Sequence, residues 1–167
     1  MAYHIYTTRG IVLSQRAIGE ADRVYSILTR DFGLLRARAL AVRKASSKLR
    51  GILEPFSLSS VSLVRGKDYW RLTSAELVKK IPNTASFARP LALLERLIQG
   101  EAPQPELFDT VESSAMIYHS GADLESETQL VAKILYHLGY LRESYLNLPR
   151  KELIKAINQG LQHSQLT

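Results

Sequence analysis

Between positions 34 and 53 the sequence carries Arg36, Arg38, Arg43, Lys44, Lys48 and Arg50, and no Asp or Glu. Guanidinium and ammonium groups of one sign, with no acid among them to act as a base, suit binding rather than bond-making chemistry. They gather a polyanion, by neutralising phosphates and releasing the counterions condensed on them. Arg65, Lys67 and Arg71 extend the set. Aromatic rings among such cations can serve as platforms for bases, and Tyr25 and Tyr69 are the candidates here. Trp70 is read as core, because Leu72 and Ser74 follow it at alternate positions.

Other chemistries are poorly supplied. There is no cysteine, so thiolate metal sites and disulfides are excluded. The histidines stand far apart, at 4, 119, 137 and 163, without metal-ligand spacing. Glu20 and Asp22 lie in a turn with no partner for acid–base work, and Gly66-Lys67-Asp68 is too short for a phosphate loop. His137, beside Tyr136 on an apolar helix, reads as structural, and the acidic stretch 123–127 reads as the charged start of a helix. No catalytic residue, metal site or cofactor is expected.

The elements that must hold the cations read as a small sheet. Residues 3–17, rich in Tyr, Thr, Ile and Val, suit a long first strand. A turn at 19–22 leads to a second strand over 23–29. Asp31-Phe32-Gly33 then reverses the chain, its glycine free to take positive φ. On the third strand, 34–42, the period of two puts Leu35, Ala37, Ala39 and Ala41 on one face and Leu34, Arg36, Arg38 and Leu40 on the other. Residues 43–49 have the composition of a mobile, solvated loop. A fourth strand is expected over 56–64, after Pro55, and a fifth over 69–78, after the turn at 65–68. Five strands with short turns in 80 residues fit a small Greek-key barrel.

Beyond Lys80 the apolar spacing changes to the helical three-and-four pattern. Helices are expected over 86–99, with Leu91, Leu94, Leu97 and Ile98 inward, over 106–119, stopping at Gly121, and over 125–138, before Gly139. A fourth, with Pro149 in its first turn, is expected to run to about His163. The domains are thus 1–80 and 81–167, and the fold class is α+β. Charge divides at the same place. The first 80 residues hold fifteen Lys and Arg against six Asp and Glu, a surplus of +9, and the remainder a net −3. No apolar run approaches the ~20 residues of a membrane span. No export signal opens the sequence, so a soluble cytoplasmic protein is expected.

Several of these residues also carry a family resemblance. Ile11-Val12-Leu13, Glu20-Ala21-Asp22, Thr29 with Gly33, the basic loop to Gly51, Pro55-Phe56, Thr73-Ser74-Ala75-Glu76 and, in the helical half, Leu135, Leu138, Gly139 and Tyr140 occur in the order found in RecO. The chain resembles this family of bacterial recombination mediators over most of its length. The resemblance implies an N-terminal five-stranded OB-fold barrel followed by a small helical domain. It implies binding of single- and double-stranded DNA and annealing of complementary strands without a nucleotide. It also implies partnership with RecR and with the C-terminal tail of the single-stranded-DNA-binding protein, and through them assistance to RecA loading. Some relatives carry a four-cysteine zinc module after the Leu-Gly-Tyr segment; here the chain passes through 142–148 without a cysteine.

Two other readings remain open at this stage: an interaction adaptor whose barrel binds nucleic acid weakly, and an RNA-binding OB-fold protein. Since no acid lies near them in sequence, Arg36, Arg38, Arg43 and Lys44 are expected to be exposed and unpaired, so that reversing their charges leaves the fold intact.

Overall fold

A closed barrel has to fill its interior with side chains that alternate large and small, and β3 supplies the small ones. The computed structural model describes residues 3–82, 85–118 and 124–164. Its strands are β1 (Ile5–Ile18), β2 (Asp22–Thr29), β3 (Gly33–Ala39), β4 (Ser57–Val64) and β5 (Trp70–Lys80). They close in the order β1-β2-β3-β5-β4, the OB-fold arrangement, as expected. All pairings are antiparallel except β3–β5, which is parallel and consists of Ala37 opposite Trp70 and Arg38 opposite Arg71.

Across β2–β3 the same Ala37 faces Tyr25, so one methyl group lies between two large rings. Tyr25, Ala37 and Trp70 are all buried, in a core shared with Val12, Ile27, Leu35, Ala39, Val61, Leu63 and Leu72. The alternation read on β3 therefore holds for Leu35, Ala37 and Ala39 against exposed Arg36. On β5 it fails after Leu72. The register with β4 slips at Thr73, so Ala75 packs against the core and Ser74 is exposed. An extra residue in one strand moves every later side chain to the other face, and no period-two reading anticipates it.

Two further departures affect the cations. The third strand, expected to reach Val42, stops at Ala39 because Ala41 adopts φ 53. That backbone is costly for a residue with a Cβ, and it is held by the Asp22 carboxylate, whose Oδ1 accepts from the Ala41 N–H at 2.7 Å. Residues 43–49 are also not the solvated loop their composition suggests. Successive turns tie Ser47 to Lys44, Arg50 to Ser47 and Leu53 to Leu49, while Val42 and Leu53 are wholly buried and Leu49 and Ile52 pack on the barrel core. The segment from β3 to β4 is an apolar plug with a cationic exterior.

The helices are α1 (Ala85–Leu97), α2 (Pro105–Ile117), α3 (Leu124–His137) and α4 (Arg150–His163), with a 3-10 turn at Glu143–Tyr145 that the sequence reading lacked. The stop expected at Gly121 and the first residue of the 123–127 stretch lie outside the described residues. Leu97, Ala132, Leu135, Leu141, Leu153, Ala156 and Ile157 form the helical core. Gly139, at φ 82, ends α3: its own N–H reaches the Tyr136 carbonyl and that of Tyr140 reaches Leu135 at 2.8 Å, a Schellman closure. This is the physical content of the Leu-Gly-Tyr segment.

The chain divides into two compact units, Met1–Pro82 with Gln99–Phe108, and Asn83–Ile98 with Asp109–Thr167. The boundary expected at 80/81 lies at Pro82, and 99–108 returns to the barrel, a return that no shift of composition announces.

Because Ala37 fits between Tyr25 and Trp70, Ala37→Leu is expected to lower stability by about 1–3 kcal/mol through overpacking. Urea unfolding measures it; an unchanged midpoint would show that the barrel has room to spare at that point.

Candidate nucleic-acid interface

The outer face of β3 and the start of β5 carry Arg36, Arg38 and Arg71, with Arg38 and Arg71 side by side across the parallel pair. Past the end of β3, the plug displays Arg43, Lys44, Lys48 and Arg50, all exposed. It is fastened to the β1–β2 turn, where the Arg43 backbone N–H donates to the Ala21 carbonyl at 2.9 Å and its guanidinium to the Gly19 carbonyl at 2.8 Å. At the opposite end of β3, the β4–β5 loop carries exposed Arg65 and Lys67 and half-buried Tyr69. The structure thus places every cation read from the sequence in the barrel unit, on β3, at the start of β5, on the plug and on the β4–β5 loop. The seven residues of β3 span about 20 Å, a length that suits the four or more nucleotides an OB-fold typically contacts.

Individual assignments change within that set. Tyr25 is not a stacking platform: its side chain is fully buried in the barrel core and can meet no base. Burial pushes its phenol above the ordinary value, with the Arg23 guanidinium partly opposing. The error arose because Tyr25 lies on a strand whose outward positions, Val24, Ser26 and Leu28, are also buried, so the period of two gives no sidedness there. An aromatic residue that the reading missed is Tyr3, 68% exposed, whose ring lies 5.6 Å from the Arg71 guanidinium. Its only sequence signal is aromatic character; its place beside Arg71 comes from the closure of the sheet. Trp70, buried as expected, forms an aromatic cluster with Tyr6 and Phe32 at centroid separations of 5.5 and 5.6 Å.

Arg38 is not unpaired. Its Nε and Nη2 donate to Asp22 Oδ2 at 3.1 and 2.6 Å, across the β2–β3 ladder from a residue distant in sequence. With Ala41 and Arg38 both donating to it, and Lys44 adding positive potential, the Asp22 carboxyl is held below its ordinary 3.8. Arg38→Glu would set a carboxylate against this one, so reversal there disturbs the fold and is a poor test of binding. Arg36, Lys48, Arg50 and Lys67 are exposed and form no ion pair among the described residues. No group of His, Asp and Glu able to hold a metal ion occurs among the described residues.

A carboxylate whose pKa is depressed by folding stabilises fully above its unfolded value and loses that contribution as pH falls through the folded one. Asp22→Asn is therefore expected to lower the thermal midpoint at neutral pH, and the gap from the parent to close as pH is taken below 3.8. Thermal scans against pH measure this; a gap that persists in acid would show that the charge of Asp22 is not what organises Arg38 and Ala41.

Comparison with known proteins agrees with the geometry. Residues 1–81 match the family described as recombination protein O N terminal. A protein of Dehalococcoides mccartyi named DNA repair protein RecO is 43% identical over 83 residues, covering 50% of this chain and 33% of the relative. Proteins of the same name from Trichodesmium erythraeum and a Synechococcus species are 33% and 32% identical over 148 and 158 residues. These matches cover 80% and 83% of this chain and 51% and 54% of the relatives. The chain thus spans about half or less of the length of the curated relatives it matches. Residues 1–81, an OB-fold barrel, thus belong to the recombination protein O N-terminal family, and the similarity to proteins named RecO continues into the helices.

Proposed function

We propose that this chain is a non-catalytic DNA-binding protein of DNA repair and homologous recombination, which holds single- and double-stranded DNA along β3 and anneals complementary strands. The observation that carries the reading is the track of Arg36, Arg38, Arg71 and the cationic plug on one closed barrel. Matching proteins bear the name DNA repair protein RecO. Cations that neutralise phosphates leave base edges free, so two strands held on such a surface meet with their mutual repulsion reduced. This requires no nucleotide hydrolysis.

Partners of the RecO family fit the same scheme: RecR, the tail of the single-stranded-DNA-binding protein, and RecA through them. No helix among the described residues is long and apolar enough to cross a membrane, and action in the cytoplasm at the nucleoid accords with the DNA role. In the helical unit a cleft of about 370 Å³ between α2 and α3 is lined by Asp109, Ser113, Ile117, Lys133 and Tyr136. Lys133 beside the 62% exposed Ile117 suits a peptide bearing an acidic group next to an apolar one.

Binding to single-stranded DNA is expected to weaken with salt. Four to six neutralised phosphates give a log–log slope of about −3 to −4, with little sequence preference, because phosphate contacts carry no base information. Reversal of Arg36, Lys48, Arg50 and Lys67 to Glu is expected to abolish binding at physiological salt while circular dichroism stays that of the parent. Fluorescence anisotropy measures both. A folded variant that binds as tightly as the parent would move the site elsewhere, and tighter binding to RNA than to DNA would assign the barrel to RNA.

Annealing is tested by mixing complementary oligonucleotides with and without the protein. Acceleration in the absence of any nucleotide is expected, and an obligate requirement for ATP would refute the mechanism.

A further inference from the structure

Among the candidate DNA-binding arginines, Arg38 and Arg65 are each paired with a carboxylate, and the two pairs differ in kind. Asp22 is tied to Arg38 and to the Ala41 backbone, with only 17% of its side chain exposed. Glu101 lies on the segment that returns to the barrel between α1 and α2. Its Oε1 accepts from the Trp70 indole N–H at 3.0 Å and its Oε2 from Arg65 Nη2 at 3.4 Å. Here both partners are open, at 42% for Glu101 and 70% for Arg65. The Arg65 guanidinium also sits 5.3 Å from the Trp70 ring. One carboxylate thus spans an aromatic N–H and a cation on the loop between β4 and β5.

The segment carrying Glu101 is set close by the β2–β3 turn. Gly33 has φ 72, and a Cβ there would come within 2.3 Å of the Ala102 carbonyl oxygen. Only glycine satisfies both the turn and the approach of this backbone. The segment is therefore built against the barrel at that point, and Glu101 is delivered to Trp70 and Arg65 by its neighbour.

A buried indole N–H needs an acceptor, and any neutral oxygen would serve. A charged acceptor that also reaches Arg65 does more, because it presents two oxygens with negative charge where a phosphate would present its own. Exposed ion pairs of this openness are weak and readily exchanged. The geometry points to Glu101 as an acidic gate on the nucleic-acid track: its carboxylate occupies the phosphate position formed by Arg65 and the Trp70 N–H, and a strand engages that end of the barrel only by displacing it. This inference rests on the nucleic-acid reading of the barrel and adds to it a residue that sets affinity without touching DNA in the bound state.

Glu101→Gln isolates the charge, since the amide oxygen still accepts from the indole while the attraction for Arg65 is lost. Labelled oligothymidylate is titrated by fluorescence anisotropy over a salt series into the parent, Glu101→Gln, Arg65→Ala and the double variant. One additional phosphate contact steepens the single-strand salt slope by about 0.7, which near 0.1 M salt is about a fivefold gain in affinity. Glu101→Gln is expected to show both changes, and the double variant neither. Trp70 is the only tryptophan, so its emission reports the gate directly and is expected to change when the parent binds DNA. If the parent binds while Glu101→Gln matches it in affinity and slope, the gate is refuted and Glu101 is only an acceptor for the indole. A gain that persists in the double variant refutes the assignment to Arg65. If neither parent nor Glu101→Gln binds at low salt, the nucleic-acid reading fails and the gate with it. Binding by Glu101→Gln alone would support both.

Discussion

The barrel closes through two residue pairs, Ala37 with Trp70 and Arg38 with Arg71, and most of what the N-terminal unit offers follows from that short parallel contact. It is a non-local pairing, since β4 and the whole plug intervene between the two strands. The smallness of Ala37 lets Tyr25 and Trp70 approach from either side and fill the interior. One residue further along, the outward arginines of β3 and β5 are brought abreast. Two like charges at neighbouring positions repel, and a sheet built for stability alone gains nothing from them. Asp22 relieves the repulsion on one side only, and Arg71 stands over Tyr3.

Cations of the barrel surface differ in whether they are committed within the protein. Arg38 is held by Asp22, the group that also fixes the backbone at Ala41 and so ends β3. The end of the strand, the seating of the plug and the orientation of one arginine are therefore one event, centred on a single carboxylate. Arg36, Lys48, Arg50 and Lys67 carry no such commitment and remain available to an external anion. A track of this kind reads charge rather than sequence.

How much of this was legible in the sequence depends on the range of the interaction. The strands, the turn at Gly33 and the inward Leu35, Ala37 and Ala39 follow from local propensity and the period of two, and the structure bears them out. Ser74 was misplaced because a register slip at Thr73 is a property of two strands together. Tyr25 was misplaced because both faces of β2 are buried. The plug read as solvent because its apolar members, Val42, Leu49, Ile52 and Leu53, are spread among cations. The Asp22–Arg38 and Glu101–Trp70 contacts join residues far apart in sequence, and no composition or spacing records them.

The returning segment has physical consequences of its own. It runs only from the end of α1 at Leu97 to the start of α2 at Pro105. Its backbone is restricted by Pro103 and Pro105, and at Ala102 it lies against Gly33. Large excursions of so short and constrained a connection would break the Gly33 contact and lose the turn packing with it. Exchange of one anion for another at Arg65 needs none of this. Rotation about the side-chain bonds of Glu101 swings the carboxylate into solvent while the backbone at Ala102 stays in place. The barrel can thus keep its closure, its plug and its end packing unchanged while one of its arginines passes from an internal partner to an external one.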